Sequence, residues 1–173
     1  MTALTVAVTE AAEELAKTQP GGRLRVPMVV VLDEAANVCR WRELPNLYSH
    51  YGSRGICVTT ILQSWSQGVE VWGRDGMRKL WSAATVKVDG GGVTETEFLS
   101  ELSQLIGDYE RLARSASSSP HGSSTSRQGI SERVLDVADL GALPKGRVVV
   151  IASGSRPIAE AELVAPFVAA VVK

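Results

Sequence analysis

The chain has 173 residues, 45% of them apolar, with 18 basic against 19 acidic side chains. That length supports one sizeable core, and the near balance of charge excludes an affinity for nucleic acid or anionic membrane that arises from overall charge, leaving only a local patch or an oligomeric ring. Cys39 and Cys57 lack CxxC spacing and His50 and His121 are the only imidazoles, so a structural zinc site is not expected and two free thiols fit a reducing cytosol. No basic-then-apolar leader opens the sequence, and the longest apolar run, 163–172, is broken by Pro166 and too short to span a bilayer.

In chain order, Leu4, Val8, Ala11 and Leu15 recur at helical spacing with Glu10, Glu13, Glu14 and Lys17 on other faces, which predicts an amphipathic helix over 2–18 ended by Gln19-Pro20-Gly21-Gly22. Pro27 then opens the run Met28-Val29-Val30-Val31-Leu32, short and rich in β-branched residues, which ends in Asp33-Glu34. This pattern predicts a buried parallel strand. Open α/β sheets bind ligands beyond the carboxyl ends of their strands, so the strand delivers two carboxylates to that edge, the arrangement of a Walker B element. There an aspartate holds Mg²⁺ and the neighbouring glutamate orients or deprotonates the attacking water. The pair also reads as the acidic start of a helix, placed near its positive end.

Asn37 to Trp41 read as a turn and 42–51 as a helix, with Leu44, Leu47 and Tyr48 inward and Pro45 tolerated in the first turn. Gly52-Ser53-Arg54-Gly55 closes it. A second buried strand, Ile56 to Leu62, ends in Gln63-Ser64. A right-handed crossover between two parallel strands sets Asp33-Glu34 and Gln63-Ser64 at one sheet edge.

Residues 66–72 and 76–83 read as two helical pieces, and 85–88 as a third strand that runs into Gly90-Gly91-Gly92. Thr94-Glu95-Thr96-Glu97 has the form of a capping box, and Phe98, Leu99, Leu102, Leu105 and Ile106 make a helical stripe that ends at Gly107. The alternation predicts an α/β fold with a mostly parallel sheet covered on both faces. Seven of the twelve residues from Ser115 to Ser126 are serine, the composition of a solvated loop or linker. A short helix within 134–143, a fourth strand over 147–152 and a returning arm over 157–163 complete the expected elements.

Three motifs together resemble the TraG/TraD-type coupling proteins of conjugation and type IV secretion: Val29-Val30-Val31-Leu32-Asp33-Glu34-Ala35-Ala36-Asn37, Tyr51-Gly52-Ser53-Arg54-Gly55-Ile56 and Ile61-Leu62-Gln63-Ser64-Trp65-Ser66-Gln67. Leu143-Pro144-Lys145-Gly146-Arg147 through Ile151, with Arg156-Pro157-Ile158, resembles that family's C-terminal segment. The resemblance covers roughly residues 27–160. It implies a RecA-like P-loop motor ATPase, hexameric and membrane-anchored when complete, that brings a relaxase–DNA substrate to the secretion channel from the cytoplasmic face of the inner membrane.

Carried over by position, the resemblance makes Asp33 the magnesium residue, Glu34 the catalytic glutamate and Gln63 the γ-phosphate sensor. It makes Arg54 a candidate trans-acting arginine for a neighbouring subunit's nucleotide, although Gly-Ser-Arg-Gly also reads as a helix-ending turn with a solvated arginine. Trp65, Trp72 and Trp81 fall on apolar helix faces and read as core rather than base-stacking platforms. No G-x-x-x-x-G-K-[ST] occurs, so the cradle for the β- and γ-phosphates is missing. Neither Gly21-Gly22 nor Gly90-Gly91-Gly92 replaces it.

On that resemblance residues 1–173 form a single partial RecA-like domain without the Walker A strand and loop. Its parts are a helix over 1–20, a core over 23–112 carrying the Walker B and sensor strands, a Ser-rich loop over 113–130, and a C-terminal helix and strands over 131–173. ATP and Mg²⁺ are expected only together with the missing Walker A part, and contact with the membrane only through segments absent here. The strand before Gln63, deprived of its Walker A neighbour, is expected to be an open sheet edge that pairs with another chain. An alternative is a catalytically inactive RecA-like module that binds relaxosome or secretion-system partners; a third is an unrelated α/β protein with chance motifs.

Overall fold

The computed structural model describes residues 1–119, 122–153 and 158–162. Helix α1 (Thr2–Thr18) leads through the turn Pro20–Gly22 into strand β1 (Met28–Leu32), the one-turn helix α2 (Ala35–Val38) and helix α3 (Leu44–Arg54). Gly55, in the left-handed conformation at φ 79°, ends α3 and turns the chain directly into β2 (Ile56–Thr60). β1 and β2 pair in parallel from Met28↔Ile56 to Leu32↔Thr60, as the crossover predicts. Inward residues Leu32, Ala35, Trp41, Leu44, Tyr51, Ile56, Met77 and Leu80 form one core, and Leu44 and Tyr51 are fully buried.

Helix α4 (Trp65–Ala83) breaks at Gly73, whose φ of 71° and ψ of 169° only glycine adopts freely, so the two expected helical pieces are both present. β3 (Val86–Asp89) then pairs antiparallel with β6 (Arg147–Ala152), which also pairs antiparallel with β7 (Ile158–Glu162). The parallel pairing anticipated for the third strand therefore does not continue; β1 and β2 form one sheet and β3, β6 and β7 another. Helix α5 (Thr96–Ile106) and the short α6 (Val137–Gly141) cover the second sheet with a core of Leu99, Leu102, Ile106, Leu140, Val149 and Ile151. Trp65 stacks on Phe98 at 5.1 Å, and Trp81 meets both edge-on, joining the two cores. Trp72 packs on the first core and donates its indole N–H to Trp41 O at 2.8 Å. Trp65, Trp72 and Trp81 are half-buried and packed against the two cores, on the apolar helix faces the sequence suggests.

Three local expectations are corrected. The stripe Leu4, Val8, Leu15 on α1 faces solvent, with Leu4 67% exposed, while Val6, Thr9, Ala12 and Ala16 face the core. Both sides of α1 carry apolar residues, so periodicity does not choose between them; the smaller side packs closely, and Thr9 is buried because its hydroxyl donates to Thr5 O and Val6 O. Thr94 to Glu97 form no capping box: Glu95 is the residue before α5 but makes no cap bond there, whereas Asp136 and Asp139 do form one at α6. Lastly, the serine-rich loop over 113–130 is a hairpin, β4 (Asp108–Ser119) with β5 (Gly122–Arg133), paired from Asp108↔Arg133 to Ser119↔Gly122. Backbone ladder bonds need no apolar side chains, and the Asp108–Arg133 ion pair at 3.2 Å holds its base. The tip residues 120–121 and the apolar run 163–172 lie outside the described residues.

The outer face of the β1–β2 pair is open. Val29, Val31, Cys57 and Thr59 are exposed on it, with Val29 at 68%, and helices cover the opposite face.

Candidate functional site

β1 and β2 end side by side, and the site is built from the residues that follow them. Ile61 N donates to Leu32 O at 3.0 Å, and Ala35 N to Ile61 O at 3.1 Å, so the two strand ends are tied before either turns away. Glu34 takes a left-handed conformation, φ 48° and ψ 44°, the only non-glycine residue among those described with positive φ. This costs about 1–2 kcal/mol for an ordinary residue and aims the side chain back across the strand ends. Its Oε1 accepts a hydrogen bond from Gln63 Nε2 at 2.8 Å. Asp33, beside it, is exposed.

The structure thus brings Asp33, Glu34 and Gln63 together and leaves Arg54 apart. Arg54 precedes β2, at the opposite end of a strand about 16 Å long. Its guanidinium donates to Gly22 O at 3.0 Å, clasping the Pro20–Gly22 turn, while its buried Nε has no partner.

Two residues near the site, Glu95 and Tyr48, have roles there that the sequence reading did not give them. Ser64 caps α4 by accepting from Gln67 N, and the two amides this leaves open, Trp65 N and Ser66 N, both donate to the Glu95 carboxylate at 2.7 and 2.9 Å. The Ser66 hydroxyl donates to it as well. Glu95 is therefore a cap supplied from another helix's start, and it fixes the turn that carries Gln63. Its local spacing pointed only to α5. Tyr48 of α3 is the second: its hydroxyl donates to Val58 O of β2 at 2.7 Å, and burial raises its pKa.

The carboxylate oxygens of Asp33 and Glu34 suit a hard divalent cation, and Gln63 offers both a donor and an acceptor beside them. The phosphate side is not provided, since no glycine-rich loop with a lysine is present in the sequence.

A family model described as the TraM recognition site of TraD and TraG matches residues 27–145, well over half of the chain. The chain belongs to this TraG/TraD family. The bacterial conjugative coupling protein TrwB has the same fold: its TrwBdeltaN70 form in the unbound monoclinic crystal gives a TM-score of 0.69 at 24% identity, over 94% of this chain and 37% of that one. TrwB in complex with the non-hydrolysable ATP analogue ADPNP gives 0.68 at 23% identity, and TrwB with ADP and Mg²⁺ gives 0.69 at 23%, each over 94% of this chain and 36% of that one. No curated protein sequence matches the chain. The fold is thus RecA-like, and this TraG/TraD chain spans little more than a third of the TrwB chains it resembles. Among the described residues no helix is long and apolar enough to cross a membrane.

Proposed function

We propose that this TraG/TraD chain is the Walker-B-bearing C-terminal segment of the motor of a conjugative coupling protein, which uses ATP hydrolysis to link a relaxase–DNA substrate to a type IV secretion channel. The observation that carries the proposal is the Glu34–Gln63 hydrogen bond at the ends of two parallel strands. Asp33 offers its exposed carboxylate to Mg²⁺. Glu34 orients and deprotonates the attacking water, and Gln63 donates to the γ-phosphate while holding Glu34 in place. Arg54, which lies apart from Asp33, Glu34 and Gln63, is assigned to the nucleotide of an adjacent subunit. When bound, Mg²⁺ and ATP supply charge neutralisation and the phosphoryl group, with the phosphates cradled by a P-loop from outside this sequence. A hexamer at the cytoplasmic face of the inner membrane is the assembly in which such a segment works.

Turnover of Mg²⁺-ATP by the chain, alone and mixed with a separately expressed polypeptide carrying the P-loop half of a TraG/TraD motor, tests this. Turnover that appears on mixing and disappears in Glu34→Gln supports the ATPase. Association without turnover supports a second function, a catalytically inactive module that recognises relaxosome or secretion partners. The description of the matching family as a TraM recognition site, together with the missing P-loop, favours that reading of the chain as it stands.

A further inference from the structure

Gln63 hangs between two ties. On the strand side, Ile61 N donates to Leu32 O at 3.0 Å and Ile61 O accepts from Ala35 N at 3.1 Å, which fixes the chain to the element that carries Glu34. On the helix side, Trp65 N and Ser66 N donate to the two carboxylate oxygens of Glu95 at 2.7 and 2.9 Å. Only Leu62, Gln63 and Ser64 lie between them. Ser64 caps α4 through Gln67 N, within the helix's own first turn, and so does not anchor α4 to anything else. Glu95 does.

Glu95 is itself held in place. Leu99 N donates to its carbonyl at 3.0 Å as α5 begins, and Phe98 stacks on Trp65 at 5.1 Å. Upstream, the loop leaving β3 passes Leu143 so closely at Gly91 that an added Cβ would lie 2.9 Å from the Leu143 Cβ, and Leu143 packs on the second core. The carboxylate that sets the start of α4 therefore comes from a seat fixed by the second sheet and its helices. Because Glu95 occupies the Trp65 and Ser66 amides, it acts on the shape of the turn and not on a phosphate.

We propose that Glu95 is a positioning residue for Gln63. By anchoring α4 it sets the Gln63 amide where it bonds Glu34 and, in the ATPase proposed for this chain, where it meets the γ-phosphate. The catalytic consequence rests on that ATPase reading; the geometry does not. Glu34 cannot follow a displaced Gln63, since its carboxylate is aimed by a left-handed backbone at φ 48°. The second sheet thereby governs a site built on the first.

The test follows the Gln63 side-chain amide of the intact, isotope-labelled chain by nuclear magnetic resonance, with Glu34→Ala marking the shift of the unbonded amide. Glu95→Ala is expected to move the Gln63 Nε2 proton about half of the way to that mark or further. Glu95→Gln, which keeps one acceptor oxygen, moves it in the same direction by less. Ile151→Val, which trims the second core without touching the turn, leaves it in place. A shift unmoved in both Glu95 variants, or moved equally in Ile151→Val, overturns the proposal. In the motor completed by its P-loop half, Glu95→Ala is expected to lower kcat about tenfold with KM for ATP changed less than about twofold, since a misplaced group that acts in the transition state leaves ground-state binding intact. A raised KM at unchanged kcat also overturns the proposal. Absence of turnover in the unsubstituted motor counts against the ATPase alone, because the shift comparison is made without nucleotide and still decides the role of Glu95.

Discussion

Gln63 Nε2 donates to Glu34 Oε1 at 2.8 Å across the carboxyl ends of β1 and β2, and Glu34 reaches it only because its backbone is left-handed at φ 48°. A left-handed non-glycine residue whose carboxylate meets an amide combines backbone strain with a side-chain contact, and strain of this kind clusters at functional sites. Glu34→Asn separates the two. Asparagine tolerates the left-handed conformation, while the lost bond is solvent-facing and contributes about 0.5–1 kcal/mol at most. Urea unfolding is expected to show stability unchanged or raised by up to about 1 kcal/mol, and any turnover of the reconstituted motor is expected to be abolished. A loss above about 2 kcal/mol would instead mark Glu34 as a structural acid.

Glu95 ties two cores together. Its carboxylate satisfies two of the first amides of α4, so Glu95→Ala leaves Trp65 N and Ser66 N without that acceptor, with only the Ser64 cap remaining, and is expected to cost about 1–2 kcal/mol. Glu95→Gln retains an acceptor and loses less. Since Trp65 begins α4 and stacks on Phe98, its fluorescence reports the change directly.

Asp89 makes stability depend on pH. Burial raises its pKa above the ordinary aspartate value, only partly opposed by the Gly91 amide. The folded chain then holds this proton more tightly than the unfolded chain. Stability accordingly falls as pH rises from the ordinary aspartate pKa through the raised folded value, and the penalty is complete above it. Asp89→Asn removes that titration. The variant is expected to be more stable than the parent at neutral pH, with the difference shrinking as pH drops below the ordinary aspartate range. Thermal unfolding followed from pH 3 to 8 measures it, and parallel curves for the two proteins would contradict the assignment.

The two thiols differ in access. Cys57 lies on the open face of β2 and Cys39 is buried in the first core. Ellman's reagent is therefore expected to titrate one thiol rapidly in the folded chain and both in denaturant. Slow reaction of Cys57 that speeds on dilution would show that another copy covers the open face.

Leu44 is fully buried where α3 meets α4 and the sheet. Leu44→Ala is expected to destabilise by about 2–5 kcal/mol, against less than about 0.5 kcal/mol for Leu4→Ala on the exposed side of α1. Comparable losses at both sites would restore the stripe that periodicity suggested.

Local chemistry was sufficient for β1, α3, β2, the Gly73 break and the meeting of Asp33, Glu34 and Gln63. Each rests on a short run of β-branched residues, a glycine, or the rule that parallel strands end together, and none needs distant information. The inward side of α1 was not legible, because both of its sides are apolar and only α3 and β2 decide between them. Nor was the serine hairpin, whose ladder is made of backbone groups common to every residue. Glu95 looked like the cap of its own helix and serves another one about thirty positions earlier in the chain, a pairing that no spacing rule contains. The sequence by itself determined which residues could carry chemistry and where the strands end. Only the tertiary structure decided which helix face is buried, which sheet β3 joins and which edges stand open, because those depend on contacts between segments far apart in the chain.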